Sequence, residues 1–203
     1  MRFRLAAVLA SLCLAAPALA QAGHADPNAD TPVDPNAMME AYAKANAPNE
    51  NHAKLNNLIG DWDVITRAWM DPSAEPMEMH GKVAKAWTLD GRFIREDLSG
   101  DNPMGQYSGV GYLGFDNAID TYQGMWLSSM STGMIAYSGK IDDTGKTLVC
   151  TGKENDPMTG QTLDFKMTIT LDNPDSHTLT FWYVIPGAGE VKAFEMIHTK
   201  AAH

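Results

Sequence analysis

The chain has 203 residues, of which 44% are apolar, 8% aromatic and 20% charged. This composition excludes collagen-like, coiled-coil and wholly disordered chains, and the length suits one domain with a real core. Lys and Arg number 15 against 25 Asp and Glu, a net charge of −10, which excludes a nucleic-acid binder built on clustered cations.

The first twenty residues read as an address. Arg2 and Arg4 form a basic start, and Leu5 to Leu14 is apolar but for Ser11. Ala18-Leu19-Ala20 is a small-x-small cleavage pattern. Together they predict a secretory leader over 1–20, cut after Ala20, and a periplasmic or secreted protein. The apolar run is too short to span a bilayer and no later stretch approaches that length, so no stable membrane insertion is expected. Leu12 precedes Cys13 where a lipoprotein signal needs a small residue. Beyond the leader only Cys150 remains, so no intramolecular disulfide is expected and stability must come from the core. Its strand-like setting makes Cys150 a small buried hydrophobe.

Residues 21–35 carry Pro27, Pro32 and Pro35 among small polar residues and read as a disordered linker. Asp26, Asn28 and Asp30 have the spacing of a calcium loop, but the required Gly is absent and Ala37 stands where Glu is needed. Residues 36–59 read as short helices capping the domain. Asp34 caps the first, and Met38, Met39, Tyr42 and Ala45 recur at helical spacing as a core face. After Pro48, Asn49 starts a second helix with Leu55, Leu58 and Ile59 on one face, ended by Gly60. His52 on this helix reads as a surface or capping residue.

From 60 to 200 the helical period is gone. Strand-like runs follow one another at 61–70, 79–89, 92–98, 108–115, 120–128, 132–140, 146–152, 162–171, 177–185 and 190–199. The clearest alternates Leu163, Phe165, Met167, Ile169 and Leu171 with Asp164, Lys166, Thr168 and Thr170. Asp90-Gly91, Asp143-Thr144-Gly145, Asp156-Pro157, Asn173-Pro174 and Pro186-Gly187 supply turns. Short strands, tight turns and no crossover helices predict an all-β antiparallel meander of about 8–10 strands. A meander must manage its edges; closure into a barrel does so fully, and a sandwich is the alternative. Gly109, Gly111 and Gly114 in one strand favour closure through sharp bending.

Several of these segments carry a resemblance. Gly60-Asp61-Trp62 at a first strand is similar to the lipocalin signature. His52-Ala53-Lys54-Leu55 before Leu58-Ile59-Gly60, Gly91-Arg92-Phe93-Ile94, and Gly109-Val110-Gly111-Tyr112 with Gly114-Phe115-Asp116 extend it. Trp126 with Ser129 and Thr132, Gly139 to Gly145 and Asp156 to Gly160 complete a pattern that resembles the lipocalin-like bacterial family DUF1579, over about residues 50 to 199. Two positions depart from it: Asp90 replaces a usual Gly, and Leu127-Ser128-Ser129 replaces an Asp after Trp126. The resemblance implies a lipocalin-like barrel and lends no activity.

A barrel of this size encloses room for a small ligand. Parity puts Trp62, Val64, Thr66 and Ala68 on one face, Val83 with Trp87, Tyr122 with Trp126, and Phe194 with Met196 and His198. Trp62, Trp87, Tyr112, Tyr122, Trp126, Phe194 and His198 are therefore candidate ligand contacts. In 92–98, Arg92 shares a face with Glu96, and Arg95 with Asp97; whichever turns inward needs its partner. Arg92 or Arg95 is the candidate for a ligand's anionic head. The reading is a carrier of a small apolar or amphipathic molecule. Met77, Met79 and His80 form a Met-x-Met-His run among 13 methionines, a set that suits Cu(I) and supports a metal-binding or stress-related alternative. A haem would need one axial His, for which His198 is the candidate. A third reading is an interaction module with a filled core. No G-x-S-x-G, P-loop, dinucleotide or zinc motif occurs, so no catalytic residue and no cofactor is assigned.

N-terminal sequencing of the protein recovered from its own host should begin at Gln21. Recovery with Met1 or Arg2 at the terminus would refute the leader.

Overall fold

A computed structural model of the protein describes residues 34–202, so the predicted leader and most of the linker lie outside the described residues. Helix α1 spans Pro35–Ala45 and α2 spans Glu50–Ala53. Ten strands follow: β1 (Gly60–Ala68), β2 (Met77–Thr88), β3 (Phe93–Asn102), β4 (Gly105–Asp116), β5 (Thr121–Ser128), β6 (Ile135–Ile141), β7 (Thr147–Asn155), β8 (Thr162–Asn173), β9 (Ser176–Ile185) and β10 (Gly189–Lys200). Each pairs antiparallel with the next, and β10 pairs with β1, from Trp62 opposite Lys200 to Ala68 opposite Phe194. The meander predicted from the turn spacing is closed into a barrel, the form favoured over a sandwich. Among the described residues no helix is long and apolar enough to cross a membrane.

The helices depart from expectation. α1 buries none of its side chains, and Met38, Met39 and Tyr42 are exposed. Helical spacing specifies the helix and not what covers it. The second predicted helix breaks into α2 and a 3-10 turn at Asn56–Leu58. Its start is as predicted: the Asn49 side chain accepts from the Asn51 N–H at 2.9 Å. His52 Nδ1 accepts in return from the Asn49 N–H at 3.1 Å, taking the place Glu usually holds in a capping box. His52 is thus a capping residue but not a surface one; it is buried, with its ring edge-on to Phe115.

Leu55 and Leu58 are buried at one end of the barrel. Three aromatic side chains tie this segment down. Trp62 Nε1 donates to the Leu58 carbonyl at 3.0 Å, Trp87 Nε1 to Asn56 Oδ1 at 3.0 Å, and the Tyr122 hydroxyl to the Asn51 carbonyl at 3.0 Å. Each ring buries its body against the barrel and spends its single polar group on the cap.

Glycines on the inner face sit directly opposite aromatic residues: Gly111 faces Trp126, Gly124 faces Tyr137 and Gly152 faces Phe165. A Cβ on Gly109 would lie 2.1 Å from Trp126 Cζ2, and one on Gly124 would lie 2.3 Å from Tyr137 Cζ. Gly109, Gly111 and Gly114 do not adopt positive φ. What the structure adds is that they make room for aromatic rings. With the rings lying across glycines along the wall, the barrel axis stays clear.

Gly109→Ala should force the Trp126 ring off the wall and destabilise the fold by about 1–3 kcal/mol. Urea unfolding measures this, and adding Trp126→Leu should recover most of the loss. No loss in the single variant would refute the role given to Gly109.

Candidate functional site

A cavity of about 320 Å³ lies within the barrel. It runs from Leu58 at the capped end to Ala68, Met79 and Asn102 toward the other end. Leu98, Leu113, Met167, Phe181, Phe194 and Met196 make much of the wall, with Trp126, Tyr107 and Tyr137 adding aromatic rings. Burial raises the phenol pKa of Tyr107 and Tyr137, so both remain neutral.

Two formal charges face this space near the cap. On β2, Val83, Lys85 and Trp87 alternate inward; on β3, Ile94, Glu96 and Leu98 do so. Lys85 Nζ lies 2.9 Å from Glu96 Oε2 and 3.2 Å from His177 Nε2. The Lys85 side chain is 3% exposed and that of Glu96 23%. Such a pair is tolerated inside only because each charge answers the other; removing one member typically costs about 3–5 kcal/mol.

Behind the pair, His177 and His198 stack with centroids 4.1 Å apart and planes 13° from parallel. Trp62 meets His177 edge-on at 4.4 Å. His177 Nε2 accepts from Lys85, which places its proton on Nδ1. His198 Nδ1 donates to the Met196 carbonyl at 3.2 Å, which leaves Nε2 without a proton. Burial first, and then the Lys85 ammonium, hold both imidazoles far below their usual pKa. Both are neutral.

The predicted residues divide into four groups. Trp126 and Phe194 line the cavity. Tyr112 belongs to the same wall, but it sits directly opposite Arg95, so its side chain shares the outer face. Trp62, Trp87 and Tyr122 hold the cap. His198 is 1% exposed and is not among the cavity-lining residues, so the haem reading has no open imidazole there.

The arginine reading is corrected. β3 begins at Phe93, so Arg92 stays in the preceding turn, with Nη1 3.4 Å from the Leu89 carbonyl. Arg95 faces outward and grips Asp97 with two hydrogen bonds of 2.8 Å. Glu96, matched by parity to Arg92, pairs instead with Lys85 on the neighbouring strand β2. Cross-strand register, not spacing along one strand, chose the partner. Strand parity also separates the Met-x-Met-His run: Met79 lines the cavity, and Met77 shares its face. The His80 side chain is 71% exposed on the other face, 3.5 Å from Glu78. Among the described residues no group of three or more His, Cys, Asp or Glu could hold a metal.

The residues missed are Lys85, Glu96 as an inward acid, and His177. Parity carried a signal for the first two: Lys85 lies between Val83 and Trp87, and Glu96 between Ile94 and Leu98. His177 sits at a strand start and gave none.

A model of the family described as "Protein of unknown function (DUF1579)" matches residues 47–200. The chain belongs to the DUF1579 family. No curated protein matches this DUF1579 chain. Its fold is similar to the crystal structure of Rv2717c from M. tuberculosis, with 14% identity, a TM-score of 0.53, and 77% of this chain and 100% of that one covered. It is also similar to the S-type phycobiliprotein lyase CPES from Guillardia theta, with 11% identity, a TM-score of 0.52, and 79% and 97% covered. At these identities the likeness is one of fold.

The neutral histidine pair gives stability a pH dependence of definite sign. In the unfolded chain each imidazole takes a proton below pH ~6.5; in the folded chain neither does. Stability is therefore full above that value and falls as pH drops. Urea unfolding at pH 7.0 and 5.5 should differ by on the order of 2 kcal/mol, before the carboxylates titrate. Equal stability at the two pH values would refute the neutral pair.

Proposed function

We propose that this DUF1579 protein is exported and binds a small apolar or amphipathic molecule inside its barrel. The single observation that carries the reading is the cavity of about 320 Å³, apolar over most of its wall with one ion pair at its floor. That volume falls at the low end of small-molecule pockets, and the mix of apolar wall and few convergent polar groups is theirs as well. A barrel that served stability alone would fill its axis, because tight packing adds dispersion contacts that a void forfeits. Here the rings over Gly111, Gly124 and Gly152 keep the axis open. The open interior also weighs against the filled-core interaction module. The divergence of Met79 and His80 gives the copper reading no support. The leader at 1–20 supports export.

The test uses N-phenyl-1-naphthylamine, an uncharged dye that brightens in apolar surroundings. The mature protein should bind it saturably, one dye per chain. Met167→Trp, which fills the wall of the cavity, should weaken binding at least tenfold while the protein stays folded by circular dichroism. Dye binding untouched by Met167→Trp would place the dye elsewhere and refute the reading.

A further inference from the structure

What the cavity floor offers a ligand follows from its charges, and the inference rests on the binding reading above. Among the described residues lining the cavity, Lys85 and Glu96 alone bring formal charge to the inner face there, and they cancel at 2.9 Å. The neutral histidines behind them add none. Asp101 and His80 also border the cavity, but they lie at the far end on strand positions that alternate outward.

The pair is not symmetric as seen from the cavity. Two of the three ammonium donors of Lys85 are directed at Glu96 and His177, and its side chain is 3% exposed. The Glu96 side chain is 23% exposed. The reachable part of the pair is thus a carboxylate, which only accepts hydrogen bonds. A ligand carboxylate would meet a like charge there. A ligand ammonium would meet Glu96, but beside the Lys85 ammonium that already neutralises it. An uncharged donor suffers neither penalty and gains a hydrogen bond to an ionised acceptor, among the stronger kinds.

We infer that the cavity takes uncharged amphipathic molecules with a hydroxyl or amide N–H at one end, entering with that end toward Glu96. The apolar body then lies along Leu98, Leu113, Phe181 and Met196. This reverses the anionic head expected from the arginines.

Displacement of N-phenyl-1-naphthylamine by five ten-carbon compounds at pH 7.4 tests it: 1-decanol, decanamide, decyl methyl ether, decanoate and decylammonium. The alcohol and the amide should displace the dye at concentrations at least tenfold lower than the other three. The ether is the critical control, since it keeps an acceptor and loses only the donor. If the ether, decanoate or decylammonium comes within tenfold of the alcohol, the inference is overturned while the binding reading stands. If neither the dye nor any of the five binds, the binding reading itself fails. The wild-type order decides the matter without any variant having to fold. Glu96→Gln then tests the cause: with Lys85 left uncompensated, decanoate should overtake decanol. An unchanged order in folded Glu96→Gln would overturn the role given to Glu96.

Discussion

Pairing between β1 and β10 turns ten strands into a closed sheet, and everything inside the barrel depends on that seam. An open meander would leave two edges to be covered and a wet interior. Closure gives every strand two neighbours and separates an inner face from an outer one. Both neutral histidines and the Lys85–Glu96 pair sit on strands that the seam brings round to each other. The seam is also where the cap is locked. Lys200, opposite Trp62, lies over its ring at 4.4 Å and donates to the Ile59 carbonyl at 2.8 Å. Gly60 has φ of 132°, and a Cβ there would lie 2.3 Å from Lys200 Nζ. The positive φ is what calls for glycine, since the flexible Lys200 tip could shift.

The interior combines two opposed demands. A ten-stranded sheet needs large side chains for stability, yet large side chains aimed at the axis would fill it. Cross-strand glycines resolve this by letting Trp126, Tyr137 and Phe165 lie across the wall. Hydrophobic area is buried and the centre remains empty. Charged groups on the outer face are arranged differently. Arg67 approaches both Glu78 and Glu195, Lys192 pairs with Glu195, and Lys192 and Lys166 lie over Trp69 and Trp182. Such surface pairs contribute little each, and two of the five tryptophans lie among them rather than in the cavity lining.

The barrel was legible because its signals are local. Turn dipeptides and period-two alternation depend on a few adjacent residues, and every strand run read from the sequence overlaps an observed strand. Trp126 and Phe194 were legible as wall residues for the same reason. The ion pair was not, because parity along β3 says that Glu96 points inward and nothing about what stands beside it. Its partner was settled by the register that sets Lys85 opposite Glu96. Trp62, Trp87 and Tyr122 show the converse limit. Their inward positions were correct, but their polar groups answer backbone and Asn56 atoms of the cap, whose path no period predicts. His177 matters through contacts made across strands, its stacking on His198 and the hydrogen bond it accepts from Lys85.

Cys150 lies on the inner face of β7, 1% exposed, and burial pushes its thiol up to about 12. At that pKa almost no thiolate forms near neutrality, and solvent does not reach the sulfur. Two copies meeting under oxidising conditions therefore have, among the described residues, no reachable sulfur through which to join. The barrel thus escapes the mixed-disulfide heterogeneity that burdens domains with an exposed unpaired cysteine.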